Sequence, residues 1–212
     1  MRAFRIFLVL LAMTAAIGAS PARAEGLEGD GMKASESGYE TAIFAGGCFW
    51  CVESDLEKLD GVISVISGYT GGDVENPTYE EVSDGGTGHR EAVMVTFDPQ
   101  KISYETLLQA FWHNVDPVDA RGQFCDKGFQ YTSAIFYGSP EQKAAADDSK
   151  MLLEADEQRF GGQTIATEIL PAKTFYPAED YHQDYYKKNP IRYKFYRGRC
   201  GRDNRLKEVW GK

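Results

Sequence analysis

Thr41-Ala42-Ile43-Phe44-Ala45-Gly46-Gly47-Cys48-Phe49-Trp50-Cys51-Val52-Glu53 changes its hydrophobic period halfway along. Thr41 to Ala45 is a short apolar run, the pattern of a buried strand. Gly46-Gly47 breaks it. From Cys48 onward, Val52, Leu56 and Leu59 fall at helical spacing, and Gly61 supplies a stop. Cys48 therefore sits where a strand turns into a helix. The reactive form of cysteine is the thiolate, and the unpaired N–H groups and dipole of a helix start stabilise it. The glycines permit a tight turn and close approach of a substrate to the backbone. Phe49 and Trp50, beside that nucleophile, are costly to leave in water and are expected to line a pocket. A buried cysteine with only a packing role is the plain alternative for Cys48, and the flanking G-G and F-W disfavour it.

Outward from this junction, Val62 to Ser67 is β-branched and reads as a strand, and Gly68 to Thr78 as a Gly-rich loop. Glu91 to Asp98 alternates apolar and polar, a strand again. Ser103 caps a helix that runs to His113. Tyr131 to Tyr137 reads as a strand, and Ser139-Pro140-Glu141 opens a polar helix to about Phe160. Thr164 to Leu170 reads as a strand and Ala178 to Asn189 as a short helix. Strands and helices alternate without a long parallel series or an internal repeat. The expected class is α+β with a mostly antiparallel sheet.

A chain of 212 residues, 42% hydrophobic, is sized for one domain. Its formal net charge of −9 excludes a nucleic-acid binder, which needs a basic face. Met1 to Arg5 is a short basic start, Ile6 to Ile17 is apolar but short for a bilayer span, and Ala22-Arg23-Ala24 offers small residues for cleavage. That layout predicts a secretory signal peptide over residues 1–24. Residues 25–40, rich in Gly, Ser and charge, read as a flexible linker, and 41–212 as the catalytic domain. The expectations are an exported, periplasmic protein, with no stable membrane association after cleavage, acting as a monomer. Four cysteines remain: Cys48, Cys51, Cys125 and Cys200. An oxidising compartment permits disulfides, and four cysteines allow three full pairings. Cys48-x-x-Cys51 also fits a thioredoxin-like redox pair or half a zinc site. Zinc needs two more ligands at compatible spacing, and Cys125 and Cys200 are isolated from each other, so no metal is expected.

The junction stretch G-G-C-F-W-C-V-E resembles the signature of the A-type peptide methionine sulfoxide reductases, and further motifs agree in the same order. These are Ser67-Gly68-Tyr69-Thr70-Gly71-Gly72, Asn76-Pro77-Thr78-Tyr79-Glu80-Glu81-Val82 and Thr87-Gly88-His89-Arg90-Glu91-Ala92-Val93. Asp126-Lys127-Gly128-Phe129-Gln130-Tyr131-Thr132-Ser133-Ala134-Ile135 and Ala178-Glu179-Asp180-Tyr181-His182-Gln183 follow. The resemblance covers about Thr41 to Trp210. Thr132 stands where the family usually carries Arg, a position expected to serve packing or a surface ion pair.

The resemblance implies a two-layer sandwich with a ferredoxin-like core and extensions, and thiol-dependent reduction of methionine S-sulfoxide. A sulfoxide oxygen leaves only once protonated, so the reaction needs a thiolate, an acid and hydrogen bonds to that oxygen. By resemblance, Cys48 attacks sulfur and Glu91 is the acid, its pKa raised by burial. Tyr79 and Tyr131 hold the oxygen, Phe49 and Trp50 receive the methyl group, and Asp126 positions the substrate backbone or an ordered water. Alternation alone reads Glu91 as an exposed strand residue. His89 and His182 look structural or marginal. Oxygen transfer leaves Cys48 as a sulfenic acid, and a second thiol must condense with it. Cys51, Cys200 and Cys125 are the resolving candidates. In one wiring Cys48 pairs with Cys51 while Cys125–Cys200 staples the fold, and in the other Cys200 attacks. Cys51 is slightly favoured because a strained i, i+3 bond is easily reduced. A thioredoxin-like reductant is implied, and no cofactor. Two rival readings remain: a thiol–disulfide oxidoreductase using Cys48 and Cys51, and a module that binds oxidised methionine without turnover.

Overall fold

The computed structural model describes residues 38–156 and 158–211. The expected signal segment and most of the expected linker lie outside them. β1 (Glu40–Ala45) begins inside the stretch assigned to the linker. Along the chain follow α1 (Phe49–Leu56), β2 (Val62–Thr70), α2 (Tyr79–Asp84), β3 (Arg90–Phe97), α3 (Tyr104–Trp112), the short strands β4 (Gly122–Gln123) and β5 (Asp126–Lys127), β6 (Ala134–Tyr137), α4 (Pro140–Glu154), β7 (Glu168–Pro171), β8 (Tyr176–Pro177), α5 (Tyr185–Lys188), α6 (Pro190–Cys200) and α7 (Arg202–Trp210). One sheet has the order β7-β6-β1-β3-β2-β8, and β4 pairs with β5 apart from it. Every pair in the larger sheet is antiparallel except β6 with β7. The fold is mixed α and β on a mainly antiparallel sheet. No helix among the described residues is long and apolar enough to cross a membrane.

Alternation along β1 sends Ala42 and Phe44 into the main core and Ile43 and Ala45 to the other face. Phe44 stacks on Phe111 of α3 with ring centroids 5.1 Å apart. Val52 and Leu56 of α1 and Leu107 and Leu108 of α3 fill the same layer. Each fully buried Leu or Phe there stabilises by roughly 1.5–3 kcal/mol. Phe175 packs with the opposite face. The helix starts follow the capping rules: Ser103 Oγ accepts from Thr106 N–H and Ser139 Oγ from Gln142 N–H. Thr78 and Glu81 form a capping box at α2.

Several expected boundaries shift, each for a local reason. β2 continues through Tyr69 and Thr70, which pair with Glu91 and Arg90, so the Gly-rich loop starts later. Tyr131 is not in a strand. Gly128 at φ +130° turns the chain into a 3₁₀ turn, Phe129–Tyr131, and the strand starts only at Ala134. α4 stops at Glu154 rather than near Phe160, and Gly161 and Gly162 then take positive φ. Thr164 to Thr167 is not strand, because the N–H groups of Ala166 and Thr167 go to the Pro117 carbonyl. Ala178 to Asp184 is not helix. Gln183 spends its side-chain amide on the Ser67 backbone, accepting from N–H and donating to C=O at 2.9 Å each. Asp184 then adopts φ +53°. α2, α6, α7 and β8 were not anticipated.

Candidate active site

Gly47 takes φ +81°, and a Cβ there would lie 2.5 Å from Gln123 Cβ. Only glycine lets the chain reverse against the wholly buried Gln123 and deliver Cys48 to the start of α1. Cys48 is the helix N-cap, as its position at the strand–helix junction implied. Its side chain makes no capping hydrogen bond, and the first helical N–H, that of Phe49, donates to Glu91 Oε2 at 2.9 Å. The Glu91 carboxyl is thereby held beside Cys48. Glu91 is 3% exposed, against the exposed position that alternation suggested. Burial raises its pKa to about 8, so it is a neutral acid at pH 7.

The two phenols arrive from different elements. Tyr79 opens α2, its backbone N–H donating to Glu179 Oε1 at 2.9 Å, and Tyr131 closes the 3₁₀ turn. Gln130 joins these elements, donating from Nε2 to the Ser83 carbonyl at 2.7 Å. Both phenols lie within electrostatic reach of Glu91. Burial pushes Tyr79 up to about 12 and raises Tyr131 as well, so both stay protonated donors. Phe49 is buried and Trp50 half-buried. Trp50 stacks on Tyr185 at 3.8 Å, and its Nε1 donates to His182 Nδ1 at 3.0 Å. His182 thus carries its proton on Nε2, and burial lowers its pKa to about 4. It is a neutral wall residue packed against Phe49, Trp50 and Tyr79. His89 is structural: it accepts from Gly72 N–H through Nδ1 at 3.2 Å, and its Nε2 donates to the Val74 carbonyl at 2.8 Å.

The cysteine electrostatics correct one expectation. A helix start was expected to favour the Cys48 thiolate. Instead burial raises the Cys48 pKa, and Cys51 and Glu91 add to the rise, while a hydrogen bond from Tyr196 opposes it. Cys51 moves the other way, to about 7, because it accepts a hydrogen bond from Cys48 and lies near Arg202 and Arg197. Cys48 and Cys51 are both free and buried.

Cys125 and Cys200 form a disulfide that ties the β4–β5 turn to the end of α6. Their sulfurs and the Asp126 carboxylate lie within 4.8 Å of one another. The sulfurs are bonded to each other and so are not offered as thiolate ligands. Asp126 is half-buried and its Oδ2 accepts from the Tyr196 hydroxyl at 2.6 Å. Burial raises its pKa. Thr132 accepts from Arg90 Nε at 2.7 Å, and Arg90 also pairs with Glu168 and lies over the Phe129 ring.

Sequence reasoning missed the groups that hold this arrangement. Glu179 ties Tyr79 N–H to the Tyr69 hydroxyl. Arg202, 1% exposed, donates to the carbonyls of Gly46 and Asn114. Glu53, 1% exposed, accepts from Asp184 N–H at 3.0 Å, and burial raises its pKa to about 7. Glu179 and Glu53 stand inside quoted motifs. Arg202 carried no sequence signal.

A buried cysteine beside a neutral carboxyl and two phenols, with a second thiol three residues on, is the kind of site a thiol-dependent reductase needs. The family model for peptide methionine sulfoxide reductase matches residues 40–212. MsrA of Bacillus licheniformis is 51% identical over 173 residues, 82% of this chain and 94% of that one. The MsrA/MsrB protein of Vibrio cholerae is 51% identical over 177 residues, 84% of this chain but 46% of that protein, so this chain spans about half of it. Among solved structures, methionine sulfoxide reductase A of Corynebacterium diphtheriae superposes with a TM-score of 0.70 at 34% identity, covering 74% of this chain and 78% of that one. The chain belongs to the peptide methionine sulfoxide reductase family, A type, enzymes that use thiols to reduce methionine sulfoxide.

Proposed function

We propose that this chain reduces methionine S-sulfoxide, free or in proteins, with Cys48 as nucleophile and Glu91 as general acid. The observation that carries this is the Glu91 carboxyl, buried, neutral and anchored on the N–H next to Cys48. The Cys48 thiolate attacks the sulfoxide sulfur while Glu91 protonates the oxygen, and Tyr79 and Tyr131 donate hydrogen bonds to it. Phe49 and Trp50 receive the methyl group, and the free oxygen of Asp126 orients the backbone or a water. Oxygen passes to Cys48, giving a sulfenic acid, and methionine leaves.

Cys51 resolves this intermediate: its sulfur attacks Cys48, water leaves, and a disulfide forms. Its low pKa and its hydrogen bond to Cys48 support the role, as does the pairing of Cys125 with Cys200. A thioredoxin-like dithiol then restores both thiols. A protein that only exchanges disulfides has no need of a buried neutral carboxyl at its cysteine, which favours the sulfoxide reading. The order β6-β1-β3-β2, with α1 and α3 in the two crossovers, supports reading the core as a ferredoxin-like two-layer sandwich. The basic, apolar, small-residue start supports an exported, periplasmic site of action.

The test mixes pure protein, dithiothreitol and a methionine sulfoxide peptide and follows methionine. Turnover is expected, and Cys48→Ser abolishes it. Insulin reduction without methionine formation would favour the disulfide-exchange reading instead.

A further inference from the structure

The mechanism above leaves a question at Cys48. Burial keeps its proton on, yet the reaction needs the thiolate. Cys48 has two sulfur-facing partners. Cys51 accepts from the thiol and so holds the proton in place, while Tyr196 favours the thiolate. Tyr196 lies on α6, half-buried against the Cys48, Cys51, Tyr185 and Tyr193 cluster, its ring edge-on to Trp50 with centroids 5.7 Å apart. Its hydroxyl has one proton and two acceptors within reach, Cys48 and Asp126. At rest that proton goes to Asp126 Oδ2 at 2.6 Å. The Tyr196 oxygen is then left as the acceptor to which the Cys48 S–H can turn from Cys51.

We propose, resting on the sulfoxide reductase reading, that Tyr196 is a further catalytic residue, a proton relay between Cys48 and Asp126. Cys48 gives its thiol proton to the Tyr196 oxygen while Tyr196 gives its own to Asp126 Oδ2. The products are a Cys48 thiolate, a neutral phenol donating to it, and a protonated Asp126. Charge and protons balance, and no outside base is needed. The fold fixes both ends of this line. Cys200 lies one helical turn beyond Tyr196 on α6, and Cys125 immediately precedes Asp126, so the disulfide staples the carboxylate to the phenol. Burial raises the Asp126 carboxyl toward taking the proton, and the hydrogen bond from Tyr196 favours the Cys48 thiolate left behind.

The experiment uses the Cys51→Ser background, in which Cys48 is the sole free thiol. Thiol titration in denaturant confirms that the other two remain bridged. Two readouts are taken: the pH midpoint of Cys48 alkylation by iodoacetamide, and the single-turnover rate on a methionine sulfoxide peptide. Tyr196→Phe and Asp126→Asn are each expected to raise the midpoint and to slow the first turnover about 10²-fold. An unmoved midpoint with an unchanged rate in Tyr196→Phe overturns the relay. So does an unmoved midpoint with only a weaker dependence on peptide concentration, which would make Tyr196 part of the pocket wall. A raised midpoint in a parent that reduces no sulfoxide would support the relay while removing the reductase reading beneath it.

Discussion

Glu91 shows how one side chain acquires a role from its surroundings. Its carboxyl loses water on folding, keeps one N–H partner, and holds its proton up to about pH 8. Glu91→Gln is expected to preserve the circular dichroism spectrum and slow the reductase step by ~10²–10⁴-fold. The acid works only when protonated, so the single-turnover rate of the parent enzyme should fall as pH rises through about 8. That alkaline limb should be missing in the Gln variant, and a Gln variant as fast as the parent would remove Glu91 from the mechanism. Cys48 and Cys51 are the second case. Both are buried, yet burial dominates at one and accepted hydrogen bonding at the other. Peptide mapping after one equivalent of sulfoxide should recover a Cys48–Cys51 link with Cys125–Cys200 intact. A Cys48–Cys200 peptide with Cys51 free would assign resolution to the C-terminal region. Cys48 and Phe49-Trp50 could be recognised from the residues alone. Glu91 needed the motif, since alternation places it on the exposed face.

At the scale of elements, the site is assembled by segments with little regular structure. The 3₁₀ turn carrying Tyr131, the β4–β5 turn carrying Asp126 and the Ala178–Asp184 segment are each held by side-chain hydrogen bonds. Hydrophobic periodicity is silent about such segments, because what holds them is side-chain hydrogen bonding to distant positions. α6 and α7 escaped notice for a related reason. They are largely polar, and few of their residues reach the core: Tyr193, Leu206, Val209 and Trp210 among the apolar ones. Pro190 in the first turn and Gly201 at φ +73° bound α6. The Cys125–Cys200 disulfide anchors α6 across a separation of 75 residues. Closing a loop of that size restricts the unfolded chain by roughly 4.5 kcal/mol in the chain-entropy account. Cys125→Ser/Cys200→Ser should therefore lower the urea midpoint markedly, with an effect approaching that size. A midpoint within error of the parent would show that the bridge does not stabilise the fold.

For the whole molecule, the buried carboxyls make stability depend on pH in an unusual direction. Glu91 and Glu53 have ordinary values near 4.5 unfolded and are raised to about 8 and about 7 when folded. Between those limits the folded state binds more protons than the unfolded one. Their contribution is fully present below about 4.5 and is lost as pH rises toward the folded values. The slope is at most about 1.4 kcal/mol per pH unit for each group. Tm should therefore fall between about pH 6 and about pH 8, and less steeply in Glu91→Gln. A flat Tm profile in the parent would count against both raised values. By itself the sequence determined the strand-to-helix junction at Cys48, the helices α1 and α3, the mainly antiparallel class and the family. All of these rest on local periodicity or on contiguous motifs, and local signals need no knowledge of distant partners. Only the tertiary structure decided that Glu91 is buried, that Cys125 pairs with Cys200, that Cys51 is shifted downward, and that Tyr196 bonds Asp126 beside Cys48. Each of those depends on desolvation or on a partner far away in the chain, and both arise only when the chain has closed on itself.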